Sequence, residues 1–74
     1  MEVTRAIKTM IINRDKKNID VANAIGYTKQ GFSNLLRKNN YKIEDLIKIA
    51  NILNYDVEIK LKDRAGKDDI TISN

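Results

Sequence analysis

The sequence predicts a mainly α fold, four short helices followed by a C-terminal β-hairpin. Three observations point there. Apolar residues recur at spacings of three and four as far as Leu53, they alternate at a spacing of two from Val57 onward, and Gly26, Asn39-Asn40 and Asn54 divide the first part into pieces of helix length. With 74 residues, 42% of them apolar and 32% charged, the chain is too apolar for disorder and long enough for one domain with a small core.

Val3, Ala6, Ile7, Met10, Ile11 and Arg14 share one face of a first helix over residues 2–15, with Ile12 on the far side. Lys16-Lys17-Asn18 interrupts the pattern. Ile19, Val21, Ala22 and Ile25 then mark a second helix of about eight residues, entered at Lys17 or Asn18 and stopped by Gly26 in a left-handed conformation. Thr28 stands as the N-cap of a third helix running to Arg37, whose inward stripe is Phe32, Leu35 and Leu36. Lys29, Gln30, Ser33, Asn34 and Arg37 are left on its outer face. Gly31 lowers helix propensity there, which either a close ligand approach or relaxed packing at a helix start explains.

After the Asn39-Asn40 loop, Ile43, Leu46, Ile47, Ala50 and Leu53 form the inward stripe of a fourth helix over residues 43–53, with Asn54 as its left-handed stop. Ile49 and Ile52 fall on the opposite side, so this helix is apolar on two faces and something must cover the second. Val57, Ile59 and Leu61 alternate with Glu58, Lys60 and Lys62, and Ile70 and Ile72 resume the alternation beyond a turn-rich stretch. Strands are expected near 56–62 and 69–73. A lone two-stranded ribbon is marginal in water, so its apolar face must pack on the helices or on another chain.

The chain contains neither Cys nor His. Disulfides and thiolate chemistry are excluded, and the commonest general base and transition-metal ligand are missing. The adjacent acids Glu44-Asp45 and Asp68-Asp69 fit a helix start and a turn better than a catalytic pair. No enzyme activity, metal or cofactor is expected. No segment reaches the roughly 20 apolar residues of a membrane span, and a cytoplasmic location is expected. Charge is divided unevenly: residues 1–42 hold nine Lys/Arg against three acids, whereas residues 43–74 hold five against seven. The first half is the side suited to a polyanion.

The run from Val21 to Leu35 resembles the helix-turn-helix of the XRE family, to which phage Cro proteins and lambda-type repressors belong. Ala22 matches the small residue where the two helices cross, Gly26 the turn glycine, and Phe32 and Leu35 the apolar anchors of the second helix, and the stretch DLIKIANIL follows as in such domains. The resemblance spans residues 3–55. It implies a four-helix lambda-repressor-like domain over 1–55, with 56–74 a dimerisation element of the same domain, and a homodimeric, sequence-specific regulator of transcription, a repressor that binds a pseudo-palindromic operator in double-stranded DNA. Carried over by position, Lys29, Gln30, Ser33 and Asn34 would read bases, Gln30 and Asn34 foremost, while Asn18, Thr28, Arg37, Lys38, Asn40 and Lys42 would touch the DNA backbone. Ile49, Ile52, Val57, Ile59 and Leu61 are the expected dimer interface, with folding of the hairpin back onto the fourth helix as the alternative.

Two features depart from the family. Lys16 and Lys17 replace an apolar residue and a Thr or Ser before the second helix, and the hairpin replaces the fifth helix of many relatives. The same fold also serves as a protein-binding module, such as an antitoxin, a partner of a regulator or a phage-encoded inhibitor of another protein.

Overall fold

The computed structural model describes residues 2–73. Four helices, α1 (Val3–Asn13), α2 (Asn18–Ala24), α3 (Lys29–Lys38) and α4 (Ile43–Ile52), precede an antiparallel hairpin of β1 (Glu58–Leu61) and β2 (Ile70–Ser73). The helices meet in a core of Ile7, Ile11, Val21, Ala22, Phe32, Leu36, Ile49, Ala50 and Leu53. Val3, Met10, Ile25, Leu35 and Leu46 pack around it half-buried. Ile12 is exposed, as its position on α1 predicts.

α4 turns Ala50 and Leu53 inward as expected, with Leu46 and Ile47 half-buried, but its buried face is shifted toward Ile49 and away from Ile43. Ile49 is wholly buried while Ile43 is 55% exposed. An apolar ring around most of a helix leaves the inward direction to its neighbours, and α1 and α2 dock on the side that carries Ile49, Ala50 and Leu53. Ala6, placed on the inward stripe of α1, is exposed, and so is Arg14.

Helix ends account for most of the loop geometry. α1, α2 and α4 each stop in the same way, with a left-handed residue just beyond the helix: Asp15 (φ 55°), Gly26 (φ 81°) and Asn54 (φ 59°). The amide that follows then reaches back to a free carbonyl, Lys16 N–H to Ile11 at 3.0 Å, Tyr27 N–H to Ala22 at 2.8 Å and Tyr55 N–H to Ala50 at 2.8 Å. The left-handed residue's own amide makes the companion bond in each, to Ile12, Asn23 and Asn51. At the start of α2, where Lys17 stands in place of a Thr or Ser, the Lys17 amide donates to the Asp20 carboxylate at 3.0 Å.

Two further ends are closed from a distance. α1 has no cap of its own. The Asn39 side chain, carried by a left-handed residue at the end of α3, accepts from the Val3 and Thr4 amides at 3.2 and 3.0 Å. Thr4 Oγ1 donates to the Leu36 carbonyl at 2.7 Å and lies 2.6 Å from the Tyr41 hydroxyl, which fastens the same corner. At the opposite corner Arg14 Nε donates to the Leu53 carbonyl at 2.7 Å and Nη2 to that of Asn54 at 3.3 Å, with the guanidinium 4.1 Å over the Tyr55 ring. A cation placed on the last carbonyls of α4 also meets the negative end of its dipole.

The hairpin is shorter than expected at both strands and stands apart from this body. Its register sets Ile59 opposite Ile72 and Leu61 opposite Ile70, so the four apolar side chains share one face, while Glu58, Lys60, Thr71 and Ser73 occupy the other. Among the described residues no helix makes an extended contact with it. The radius of gyration is 13.8 Å, where a compact domain of this length would have about 11 Å. Leu61, Ile70 and Ile72 remain 52%, 58% and 47% exposed. The connecting loop is organised by Asp63, whose carboxylate accepts from the Ala65 amide at 2.9 Å and the Asp68 amide at 3.1 Å.

An added Cβ at Gly26 meets nothing within 4 Å, so the glycine is needed for its backbone conformation alone. Gly26→Ala should lower stability by about 1–2 kcal/mol, and Asp15→Gly, which relieves the same strain at the end of α1, should raise it by up to about 1 kcal/mol, both read as shifts in urea midpoint. The amide bonds from Ala65 and Asp68 hold the Asp63 carboxyl below the usual carboxylate range. A depressed folded value means that the loop is ordered at neutral pH and loses this support as the pH falls from the ordinary carboxylate range through that lower value. Hydrogen exchange at the Ala65 and Asp68 amides should accelerate relative to the helical amides over that window, and Asp63→Asn should remove the pH dependence.

Candidate nucleic-acid interface

α3 is held from beneath by Phe32 and Leu36, both buried, with Leu35 half-buried beside them. Leu36, not the expected anchor Leu35, is the deeper of the two leucines. Ala22 on α2 is fully buried where α2 and α3 meet, as a small residue at a crossing must be. The turn between these helices is locked twice. Tyr27 sets its ring edge-on to Phe32, centroids 6.5 Å apart, and its hydroxyl donates to Asp45 Oδ1 on α4 at 3.1 Å. Loss of solvation raises the Tyr27 pKa, and the hydrogen bond to Asp45 and the charge of Asp45 raise it further.

Thr28 caps α3 as expected, its Oγ1 accepting from the Gly31 amide at 2.9 Å. A Cβ at Gly31 would lie 3.0 Å from the same Oγ1, a few tenths of an ångström closer than an ordinary contact.

The outer side of α3 carries Lys29, Gln30, Ser33, Asn34 and Arg37 within one stripe, all exposed except the half-buried Asn34, with no acid among them. Asn18, the first residue of α2, joins Lys29 and Ser33 around a shallow cleft of about 120 Å³, floored by Ala22 and Phe32. Ile19 also lines it. Its place in an apolar set suggested burial in the core, yet it is 37% exposed and puts an apolar side chain among polar ones.

Three of these side chains are joined. Gln30 Nε2 donates to Asn34 Oδ1 at 3.2 Å, and Arg37 Nη2 donates to the same oxygen at 3.0 Å. Arg37 and Lys38 lie in the last turn of α3, where their charge also complements the helix dipole. Lys38, Asn40 and Lys42 are exposed, Lys38 toward the edge of the stripe, Asn40 in the loop and Lys42 at the start of α4, where its amide donates to Asp45 at 3.4 Å. These three are not drawn into the network.

The residues expected at a dimer interface are not brought together as a set. Ile49 belongs to the core of its own chain and is removed from the list, since docking a partner on it would require opening the helical body. Ile52 is 40% exposed on α4, and Val57, Ile59 and Leu61 run into the hairpin. Ile70 and Ile72 complete the apolar face with Ile59 and Leu61. They were visible as alternating residues, but cross-strand register, which places them beside Leu61 and Ile59, is not a local property of sequence. Among the described residues no helix is long and apolar enough to cross a membrane. No family model, curated protein or solved structure matches the chain.

Removing the Thr28 hydroxyl leaves the Gly31 amide without this partner. Thr28→Ala should cost about 1 kcal/mol of stability in the absence of any ligand, and Thr28→Ser should recover most of it, as measured by denaturant unfolding followed by circular dichroism.

Proposed function

We propose that this protein is a helix-turn-helix transcriptional regulator of the lambda-repressor-like fold that binds double-stranded DNA in a sequence-specific manner as a homodimer. The observation that carries the reading is the outer face of α3. Five hydrogen-bonding side chains and no acid line one stripe of a helix that is braced from below and capped at its start. Amide and ammonium groups are the chemistry that reads base edges in the major groove, each good bidentate contact giving about 1–3 kcal/mol of discrimination. Ile19, beside Lys29 and Ser33, offers an apolar surface of the kind that meets a thymine methyl. Asn18, Thr28, Lys38, Asn40 and Lys42 flank that stripe, and Arg37 stands at its C-terminal end, with groups suited to phosphate that would position the protein without specifying sequence.

The dimer is proposed to form on the hairpin. Ile59, Leu61, Ile70 and Ile72 make a continuous apolar face that the chain's own helices leave uncovered. A second copy supplies the same face, and two such faces bury one another about a two-fold axis. Two-fold symmetry then requires an inverted-repeat operator with half-site centres one or more helical turns apart, each turn about 10–10.5 bp. Repression would follow from occupancy of that site.

Selection from random-core duplexes at two salt concentrations, followed by sequencing of the bound fraction, tests both parts. Enrichment of an inverted repeat by the wild type, with single half-sites and a monomeric mass for Leu61→Lys in analytical ultracentrifugation, is the expected result. Binding without any enriched sequence, disappearing as salt rises, would reduce the interaction to phosphate attraction. The hairpin face would then favour a protein-binding module.

A further inference from the structure

We propose that Gln30 is the adenine-reading side chain of α3, and that Arg37 sets its hydrogen-bonding polarity through Asn34 without itself touching a base. The inference rests on the DNA-reading function proposed above and assigns the roles within it.

A guanidinium has only donors, so the Asn34 atom 3.0 Å from Arg37 Nη2 is the oxygen. That oxygen can accept but not donate, so the end of Gln30 that lies 3.2 Å from it is the nitrogen Nε2. Rotating either amide by half a turn would set two donors or two acceptors against each other. The spacing of residues 30, 34 and 37 puts all three on adjacent turns of one helix face, where such pairs meet. The charged donor makes the stronger of the two bonds, so Arg37 decides the orientation that Gln30 inherits.

The consequence differs for the two amides. Asn34 Oδ1 already receives two hydrogen bonds, which uses both of its lone pairs. It has none left for the N6 amino group of adenine, and its Nδ2 can only donate. Gln30 is exposed and retains Oε1 together with its second N–H. An acceptor and a donor carried by one amide complement adenine, which offers N6–H and N7 in the major groove, and they mismatch guanine, whose N7 and O6 are both acceptors. Asn34 is therefore a positioning residue, and the two amides do not share the adenine contact.

The test is the sequence profile of bound duplexes for the wild type and four variants, with circular dichroism to confirm that each folds. The wild type should prefer adenine at one position of each half-site. Gln30→Ala should lower that preference roughly 5- to 140-fold, which is the affinity ratio of one bidentate contact. Arg37→Met should relax the same position by about twofold or more, the scale of coupling between networked side chains. Lys38→Met, a neighbouring cation outside the network, should weaken all sequences alike. Asn34→Asp keeps an acceptor for both Arg37 and Gln30 but no donor. It should bind every sequence more weakly, through its added charge, while keeping the adenine preference. The proposal is overturned if Arg37→Met weakens binding uniformly with the wild-type profile intact, or if Asn34→Asp erases the preference that Gln30→Ala leaves in place. A wild type that enriches no sequence overturns the DNA-reading function, and this assignment with it.

Discussion

Every helix in this protein is too short to persist by itself. The longest has 11 residues and the shortest 7, below the roughly 12–15 at which an isolated helix becomes marginal in water. Each depends on burying its apolar stripe in the shared core and on finding partners for the amides and carbonyls its ends leave over. In so small a chain the ends are a large share of the backbone, so how they are satisfied decides where the chain turns. Three helices close on a left-handed residue with two backward hydrogen bonds, and one capping threonine opens α3.

α2 and α4 open on a carboxylate of their own first turn, and side chains from elsewhere close the start of α1 and cover the end of α4, which ties the helices into one body. Asn39 finishes α3 by its backbone and begins α1 by its side chain. Arg14 stands at the end of α1 and covers the end of α4. Tyr27 links the turn between α2 and α3 to the first turn of α4. The proposed reading face of α3 is thus fixed at its start by Thr28, at its end by the corner around Asn39 and from below by Phe32 and Leu36. That rigidity leaves its outer side chains free to hold one another in a defined arrangement.

The parts of this plan that depend on near neighbours were legible in the sequence. Gly26, Thr28 and Asn54 mark helix boundaries because a turn glycine, a hydroxyl cap and a left-handed asparagine act within a few residues. The left-handed stop at Asp15 was less visible, since aspartate serves many other purposes. Asn39, Arg14 and Tyr27 act across 35 or more residues in two cases and 18 in the third, reaching Val3 and Thr4, Leu53 and Asn54, and Asp45 respectively, and no local rule marks such partners. Ile49 was misplaced for a related reason. A helix with isoleucine on both sides satisfies its own period in either orientation, and only the docking of α1 and α2 chooses. On the candidate interface, the composition of the α3 stripe was readable, whereas the link from Gln30 through Asn34 to Arg37 required the side-chain geometry.

The three tyrosines have a common position that bears on how the molecule can be observed. Tyr27 sits at the α2–α3 turn, Tyr41 at the corner fastened by Thr4, and Tyr55 beneath the Arg14 guanidinium. There is no tryptophan, and no aromatic residue lies in the hairpin. Near-ultraviolet absorbance and intrinsic fluorescence therefore report the closing of the joints between helices and are blind to β1 and β2. Any difference between that signal and a backbone signal from the strands isolates the hairpin optically, with no label attached to either part.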